Sequence, residues 1–174
     1  LSTNNGSTWT TVNNGLANSE IYSLAVIGTN LFAGSAGSGM FRSNNNGTSW
    51  TAVNNGLTGS ETGPLAVNGT NLYAVVSGSL YLSINSGDNW TTVSNLSFSK
   101  SRVFAIAVMG TNIFAATWAE GVFRSIDNGI SWTSVNNGLP THNDFRAFAV
   151  SGTNLFTGNC GDGVYLSTNN GESW

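Results

Sequence analysis

Five tryptophans recur at nearly constant spacing along this 174-residue chain, and each closes a similar eight-residue segment. The segments read Ser-x-(Asn/Asp)-x-Gly-x-x-Trp and cover residues 2–9, 43–50, 83–90, 125–132 and 167–174. Successive tryptophans lie about 41 residues apart. A period in this range is typical of repeat architectures in which one small structural unit is copied along the chain.

Each repeat contains four short runs rich in β-branched and aromatic residues. In the second repeat they begin at Leu65, Asn71, Leu80 and Trp90, and Asn/Gly turns separate them. Such runs are typical of strands, and none of them leaves room for a helix of about ten residues. A four-stranded unit repeated every 40 residues or so predicts an all-β fold, a β-propeller with four-stranded antiparallel blades. The predicted repeats cover residues 10–50, 51–90, 91–132 and 133–174, with residues 1–9 ending a preceding blade.

Composition excludes several functional classes. Charged residues are 7% of the chain, and five basic side chains with a net charge of −3 cannot build a phosphate-binding surface, so no nucleic-acid partner is expected. One cysteine and one histidine leave no intrachain disulfide and no structural zinc site. No apolar run approaches the roughly 18 residues that span a bilayer. We predict neither a metal nor a cofactor.

The repeated segment resembles the Asp box, also called the bacterial neuraminidase repeat, along the whole chain. This resemblance implies a hairpin between the third and fourth strands of each blade, in which a side-chain oxygen accepts turn N–H groups and the tryptophan packs between strands. Four boxes carry Asn in place of Asp, which keeps a carbonyl acceptor. The predicted structural residues are Asn4, Trp9, Asn45, Trp50, Asn85, Trp90, Asp127, Trp132, Asn169 and Trp174.

Sialidases, xyloglucan hydrolases and sortilin-type receptors all use this box, so the resemblance says little about function. It does imply that ligands bind on the face opposite the boxes. Loops on that face differ among the repeats, whereas box and core positions agree, as expected of a fixed scaffold with a variable binding face. The predicted ligand-binding residues are Glu20, Glu61, Arg102, Trp118, Glu120, His142, Asp144, Arg146 and Asp162.

The competing interpretation is that these are ordinary charged residues of solvent-exposed loops and have no binding role. Trp118 is the sharpest candidate because it is the one tryptophan outside a box; it could stack on a sugar ring or cap the blade core. Cys160 is expected to be a buried small apolar residue, with an interchain disulfide as the alternative.

Enzyme and binding protein remain alternatives at the sequence level. A glycosidase needs two carboxylates about 5 to 9.5 Å apart, for which Glu20 with Glu61, or Glu120 with Asp162, are candidates. A sialidase also needs three arginines and a nucleophilic tyrosine, and the candidate face carries only Arg102 and Arg146. No nucleophile motif accompanies the single histidine.

We therefore assign no catalytic residue. The sequence favours a non-catalytic, secreted or cell-surface propeller that binds a glycan or a protein. A fragment of a secreted glycoside hydrolase and a structural surface-display array are the alternatives. The extracellular assignment rests on a composition rich in Asn, Ser, Thr and Gly with a single lysine, Lys100.

The repeats also predict how the ring is completed. The last repeat supplies three strands, and Thr10 to Val12 could act as its fourth, but that blade would then hold two boxes, starting at Ser2 and Ser167. We therefore expect either part of a larger propeller or two chains that pair into an eight-bladed ring. An open sheet edge favours association.

Overall fold

The computed structural model describes residues 1–16, 20–96, 98, 102–141 and 144–174. The described residues form an all-β fold without helices, and the strands assemble into four antiparallel sheets. The predicted β-propeller architecture is therefore confirmed.

Each sheet is one blade, and its strands follow chain order from the first to the last. Blade I contains β1 (Glu20–Ile27), β2 (Asn30–Ala36), β3 (Gly39–Ser43) and β4 (Thr51–Ala52). Blade II contains β5 (Thr62–Asn68), β6 (Asn71–Val76), β7 (Ser79–Ser83) and β8 (Thr91–Asn95). Blade III contains β9 (Val103–Met109), β10 (Asn112–Thr117), β11 (Val122–Ser125) and β12 (Thr133–Ser134). Blade IV contains β13 (Phe145–Ser151), β14 (Asn154–Asn159) and β15 (Gly163–Ser167).

Because the strands run up and down, the connections between them lie alternately at two opposite ends of every blade. The turn between the first and second strands and the box hairpin after the third strand lie at one end, which we call the box face. The loop between the second and third strands and the connection into each blade lie at the other end, the loop face. Antiparallel pairing thus places the variable loops opposite the boxes, as the resemblance implied.

Blades stack through apolar side chains, with the first strands innermost. The inner strand β5 packs between β1 and β9, and β9 packs against β13. Between blades I and II, for example, Phe32 and Met40 of blade I contact a cluster that includes Leu72, Tyr81 and Trp90 of blade II. Equivalent clusters lie between blades II and III and between blades III and IV. Each interior blade therefore has two buried faces, one toward the preceding blade (leading) and one toward the following blade (trailing).

The box hairpins have the hydrogen bonds that the motif predicts. In blade I the Ser43 hydroxyl accepts the Gly47 N–H at 2.9 Å and donates to Asn45 Oδ1 at 2.8 Å. Asn45 Oδ1 in turn accepts the Ser49 N–H at 2.9 Å. Asn46 and Gly47 have φ values of 54° and 82°, a left-handed pair that Asn and Gly adopt more readily than other residues. The other four boxes repeat this geometry, so Asn and Asp serve equally as the acceptor.

The box tryptophans join one blade to the next. Trp90 Nε1 donates to the Val53 carbonyl of the preceding blade at 2.8 Å, and Trp50 and Trp174 make the same bond to Val12 and Val135. Trp132 differs, since its Nε1 donates to the Gly129 carbonyl of its own turn. The corresponding segment of the preceding blade reads Val93-Ser-Asn-Leu96 in place of Val-Asn-Asn-Gly.

Trp9 does not pack between strands as predicted. Its side chain is 75% exposed, and its Nε1 also bonds within its own turn, to the Gly6 carbonyl. No preceding blade lies against it among the described residues. The hairpin that carries it is closed by paired backbone bonds between Leu1 and Thr10. Thr10 is thus engaged beside its own box, and the described fourth blade remains three-stranded.

Candidate functional site

The two variable loop sets meet on the loop face. In three blades the first residue after the second strand donates its N–H to the carbonyl of a residue just before or at the start of the inner strand. These bonds join Ser77 to Glu61 at 2.9 Å, Trp118 to Arg102 at 3.1 Å, and Cys160 to Asp144 at 2.9 Å. The predicted equivalence of Glu61, Arg102 and Asp144 therefore corresponds to a repeated backbone contact.

A β-bulge lies near the start of every inner strand. Register shifts occur between Ile21 and Ser23, between Thr62 and Leu65, and at the equivalent positions of β9 and β13. The extra residue bends the strand and redirects a side chain. The residues at the bulged position are Tyr22, Gly63, Phe104 and Arg146.

Aromatic rings and guanidinium groups cluster where these bulges converge. The Arg102 guanidinium lies 5.7 Å from the Tyr22 ring centroid and 5.8 Å from that of Phe104. The Arg146 guanidinium lies over Phe104 at 4.9 Å. These distances are within cation–π range. Three blades thus contribute to one cluster, which contains Tyr22, Arg102, Phe104 and Arg146 and which we call the rim cluster.

Carboxylates flank the rim cluster. Glu61 pairs with Arg102 at 3.2 Å, and Asp144 accepts two bonds from Arg146 at 2.9 and 2.8 Å. The Arg146 hydrogen bonds lower the pKa of the Asp144 carboxyl. Asp144 therefore remains ionised at neutral pH and holds the Arg146 side chain in a fixed, bidentate orientation.

Glu20 completes the cluster from the first blade. Its Oε2 accepts the Tyr22 hydroxyl at 3.0 Å, and this bond raises the pKa of that hydroxyl. Five predicted site residues thus lie around the two aromatic rings, namely Glu20, Glu61, Arg102, Asp144 and Arg146.

A groove of about 520 Å³ opens beside the rim cluster, along the inner strands. All four blades line it, with Tyr22 and Leu24 from blade I, Pro64 from blade II, Phe104 from blade III and Phe148 from blade IV. Its volume lies within the range of small-molecule sites, and its lining combines apolar rings with a few charged groups.

The second loop set lies farther from the axis. Trp118 is 55% exposed, so its ring is available to a ligand and does not cap the blade core. Glu120 is half-buried and its backbone N–H bonds to Thr117, while Asp162 is exposed and bonds through its N–H to Asn159. Within the described part of the chain, the rim-cluster arginines pair with Glu61 and Asp144 and not with Asp162. His142 lies outside the described residues.

The interpretation of Cys160 as a buried residue is wrong. Its side chain is exposed, and the residue lies in the loop between β14 and β15.

Sequence reasoning missed Tyr22 and Phe104, the two rings that organise the site. Both occupy the position two residues before the Leu-Ala-Val run, where the other copies carry Gly63 and Arg146. This variability was the available signal. The bulge that turns these side chains toward the groove has no signature in the sequence.

Within the described ranges, no three His, Cys, Asp or Glu side chains come together as a possible metal site. None of these residues forms a helix with the length and apolarity needed to cross a bilayer.

Comparisons with known proteins support the fold. No family model matches the chain, and the comparison with curated proteins likewise finds no match. Among solved structures, the chain is similar to the GH74 xyloglucanase from Xanthomonas campestris, with a TM-score of 0.71 and 16% identity over 96% of this chain and 31% of that one. An ancestral GH74 enzyme gives a TM-score of 0.70 with 21% identity over 92% and 24% of the two chains.

A second similarity is to YCF48 bound to D1 peptide, with a TM-score of 0.65 and 14% identity over 90% of this chain and 57% of that one. Because all three identities are low, the likeness concerns the fold alone. The chain spans about a quarter to a third of the GH74 enzymes and somewhat more than half of YCF48. Fold and loop-face geometry together define a β-propeller with a charged, aromatic-lined groove opposite its box hairpins.

Proposed function

We propose that this chain is a non-catalytic, extracellular binding module that holds a carbohydrate in the groove on its loop face. The observation that carries the proposal is the rim cluster, in which Tyr22, Phe104, Arg102 and Arg146 converge from three blades beside one groove. The box hairpins at the opposite face serve as the scaffold.

The chemistry of the groove suits a sugar. Aromatic faces pack against the apolar C–H surface of a pyranose ring, while carboxylates and guanidinium groups bond to its hydroxyls. Asp144 and Glu61 hold the two guanidinium groups in place, which reduces the entropy lost when a ligand is bound. Trp118 supplies a further exposed ring beside the backbone of Arg102.

A peptide ligand is the second candidate. YCF48, a propeller of similar fold, is known in complex with D1 peptide. The half-exposed guanidinium groups of Arg102 and Arg146 can donate hydrogen bonds to the carboxylates of an acidic peptide in the same groove.

The enzyme alternative is supported by the likeness to GH74 propellers. Two contacts weigh against the candidate pair of Glu20 with Glu61. Glu20 accepts the Tyr22 hydroxyl at 3.0 Å, and Glu61 pairs with Arg102 at 3.2 Å, so both carboxylates are already engaged.

The test is a glycan array probed with the wild-type chain and with Tyr22→Ala and Trp118→Ala, followed by titration of any sugar that binds. Loss of a ring contact is expected to weaken binding at least tenfold, or about 1.4 kcal/mol. Ile126→Ala is the matched control, because Ile126 is an exposed apolar residue on the box face. It should leave affinity unchanged.

If no sugar binds and acidic peptides do, and if Arg102→Ala and Arg146→Ala abolish that binding, the peptide ligand is favoured. If the wild-type chain hydrolyses aryl glycosides and Glu20→Gln or Glu120→Gln removes this activity, the hydrolase is favoured. If the chain binds neither ligand class and shows no turnover, the structural surface-display array is the remaining alternative.

A further inference from the structure

A second cavity, of about 260 Å³, opens on the loop face between blades II and III, and we call it the side pocket. Its floor consists of the buried apolar side chains of Val75, Leu96 and Val103, which belong to the cluster between these two blades. Its rim carries the half-exposed ion pair of Glu61 with Arg102. Blades II and III each pack against a blade on both sides, so the side pocket lies within the stack.

Small residues of blade II leave room for the side pocket. The turn between β6 and β7 is Ser77-Gly78, whereas the corresponding loop of blade III has four residues and begins with Trp118. The φ values of Ser77 and Gly78 are 48° and 81°, as in the tightest hairpin turns. Both residues line the side pocket, and neither carries a bulky side chain that would cover it.

Gly63 lies where the side pocket adjoins the groove. It occupies the bulged position of β5, at which the other three blades carry a large side chain. Gly63, Arg102 and Val103 line both cavities. A Cβ at Gly63 would lie 3.5 Å from the Val75 carbonyl oxygen and 3.9 Å from that of Val103, so a side chain here would extend between two residues of the side pocket. Because blade II has glycine at this position, no side chain from it separates the two cavities.

The side pocket has the chemistry of a site for an uncharged apolar group. A sugar hydroxyl placed on its floor of Val75, Leu96 and Val103 would lose its hydrogen bonds to water without gaining a partner, whereas a hydrocarbon group would gain from leaving water. The opposite charges of the rim ion pair cancel, so they attract neither an anion nor a cation over distance. The volume lies below the range of about 300 to 1,000 Å³ typical of whole small-molecule sites, which suits one part of a ligand.

We propose that the carbohydrate bound in the groove carries an apolar substituent, an acyl, alkyl or aryl group, and that the side pocket binds this substituent. This inference rests on the proposed function. Arg102 lies between the two parts of the site, because its guanidinium contacts the Tyr22 and Phe104 rings beside the groove and pairs with Glu61 at the rim of the side pocket. The sugar ring lies at the rim cluster, and its substituent passes Gly63 into the side pocket.

The experiment titrates the 174-residue chain with methyl, n-hexyl and phenyl glycosides of glucose, galactose and mannose, followed by NMR of the backbone amides. For a sugar that binds, the n-hexyl or phenyl glycoside should bind at least tenfold more tightly than the methyl glycoside, because it buries additional apolar surface. The amide signals of Ser77 and Gly78 should move with the n-hexyl glycoside and not with the methyl glycoside. If no sugar shows this gain in affinity, the proposal is overturned.

Two substitutions test the location of the substituent. Gly63→Phe installs the residue of blade III at the junction and should remove the difference in affinity between the n-hexyl and methyl glycosides. Val75→Thr keeps the shape of a floor residue and adds a hydroxyl, so it should reduce that difference at least threefold while methyl glycoside binding stays the same. Ser38→Phe is the matched control, because it adds the same ring to an exposed loop-face residue of blade I that lines neither cavity.

Thermal unfolding of each variant separates loss of binding from loss of folding. An undiminished difference in affinity in both Gly63→Phe and Val75→Thr, with both variants folded, would overturn the proposal. The methyl glycosides report on the groove alone. If they bind and the n-hexyl group adds nothing, the side-pocket proposal fails and the proposed function stands. If 1-hexanol binds as tightly as the n-hexyl glycosides, the sugar contributes nothing, and it is the proposed function that fails.

Discussion

Val122 and Val164 occupy the same position in blades III and IV, yet one is completely buried and the other is among the most exposed apolar residues described. Trp90 and Trp9 show the same contrast at the box. The local sequences of each pair are closely similar, and so are their hairpin hydrogen bonds. What differs is the presence of a neighbouring blade.

This comparison separates two levels of stability. The hairpins satisfy their own backbone groups and form at every place in the stack. Most apolar burial arises between blades, so its contribution depends on a neighbour. The contribution of a residue to the stability of this molecule therefore depends more on which blade it belongs to than on its residue type.

The largest effect is expected when Trp90→Ala, which lies between two blades, is compared with Trp9→Ala, which has no neighbouring blade among the described residues. Trp90 is buried and bonded to the Val53 carbonyl, so its loss should reduce the free energy of unfolding by about 3 to 5 kcal/mol. Trp9→Ala should change it by less than about 0.5 kcal/mol, as expected of exposed positions. Urea denaturation, measured at a concentration where the chain is monomeric, reads both values. Equal losses would refute the contrast.

A smaller effect is expected from a defect within the interior. Thr62 Oγ1 is buried without a hydrogen-bond partner, although the equivalent position in blade III is Val103. Thr62→Val should therefore raise the free energy of unfolding by about 1 kcal/mol, because an unsatisfied buried hydroxyl is destabilising.

Thr117→Val is the matched control for this substitution. Thr117 is also fully buried, but its hydroxyl donates to the Gly121 carbonyl at 2.8 Å. Its replacement should lower stability by about 1 kcal/mol. Thermal or urea unfolding compares the two, and changes of the same sign would contradict this account.

The smallest expected effect concerns the stability of the box turns, which should be the same in an interior blade and in an end blade. Hydrogen bonds from the Ser131 hydroxyl and N–H, and from Ser125, lower the pKa of Asp127 from 3.8 to about 2. Because the folded-state pKa is the lower one, this stabilisation is present above the unfolded pKa and is lost as the pH falls from about 4 to about 2. Asp127→Asn should remove that part of the acid sensitivity.

The reverse substitution at the end of the stack completes this test. Asn169 Oδ1 accepts the Ser173 N–H at 3.0 Å, as Asp127 accepts that of Ser131. Asn169→Asp should therefore introduce the same acid sensitivity that Asp127→Asn removes. Melting temperatures recorded across this pH range measure both. A pH dependence confined to the interior box would show that the turns also depend on their neighbours.

The sequence was sufficient to predict the repeat, the strand order and the box hairpin, because each depends on local patterns that occur four or five times. It also placed Glu61, Arg102 and Asp144 at equivalent positions, since the repeats align without gaps around Leu-Ala-Val. These features need no knowledge of how one blade meets another.

The centre of the candidate site could not be predicted in the same way. Tyr22 and Phe104 turn toward the groove because their strands bulge against the second strand, and this register is a property of pairing between strands. The exposure of Trp9 likewise depends on a neighbour. Patterns within one repeat carry no information about either.

The recurrence of one interface between every pair of blades has an evolutionary consequence. Because each blade presents the same kind of leading and trailing face, unequal recombination that adds or deletes a whole repeat creates no new type of junction. The circumference of such a propeller can therefore change by one unit at a time while the remaining blades keep their contacts.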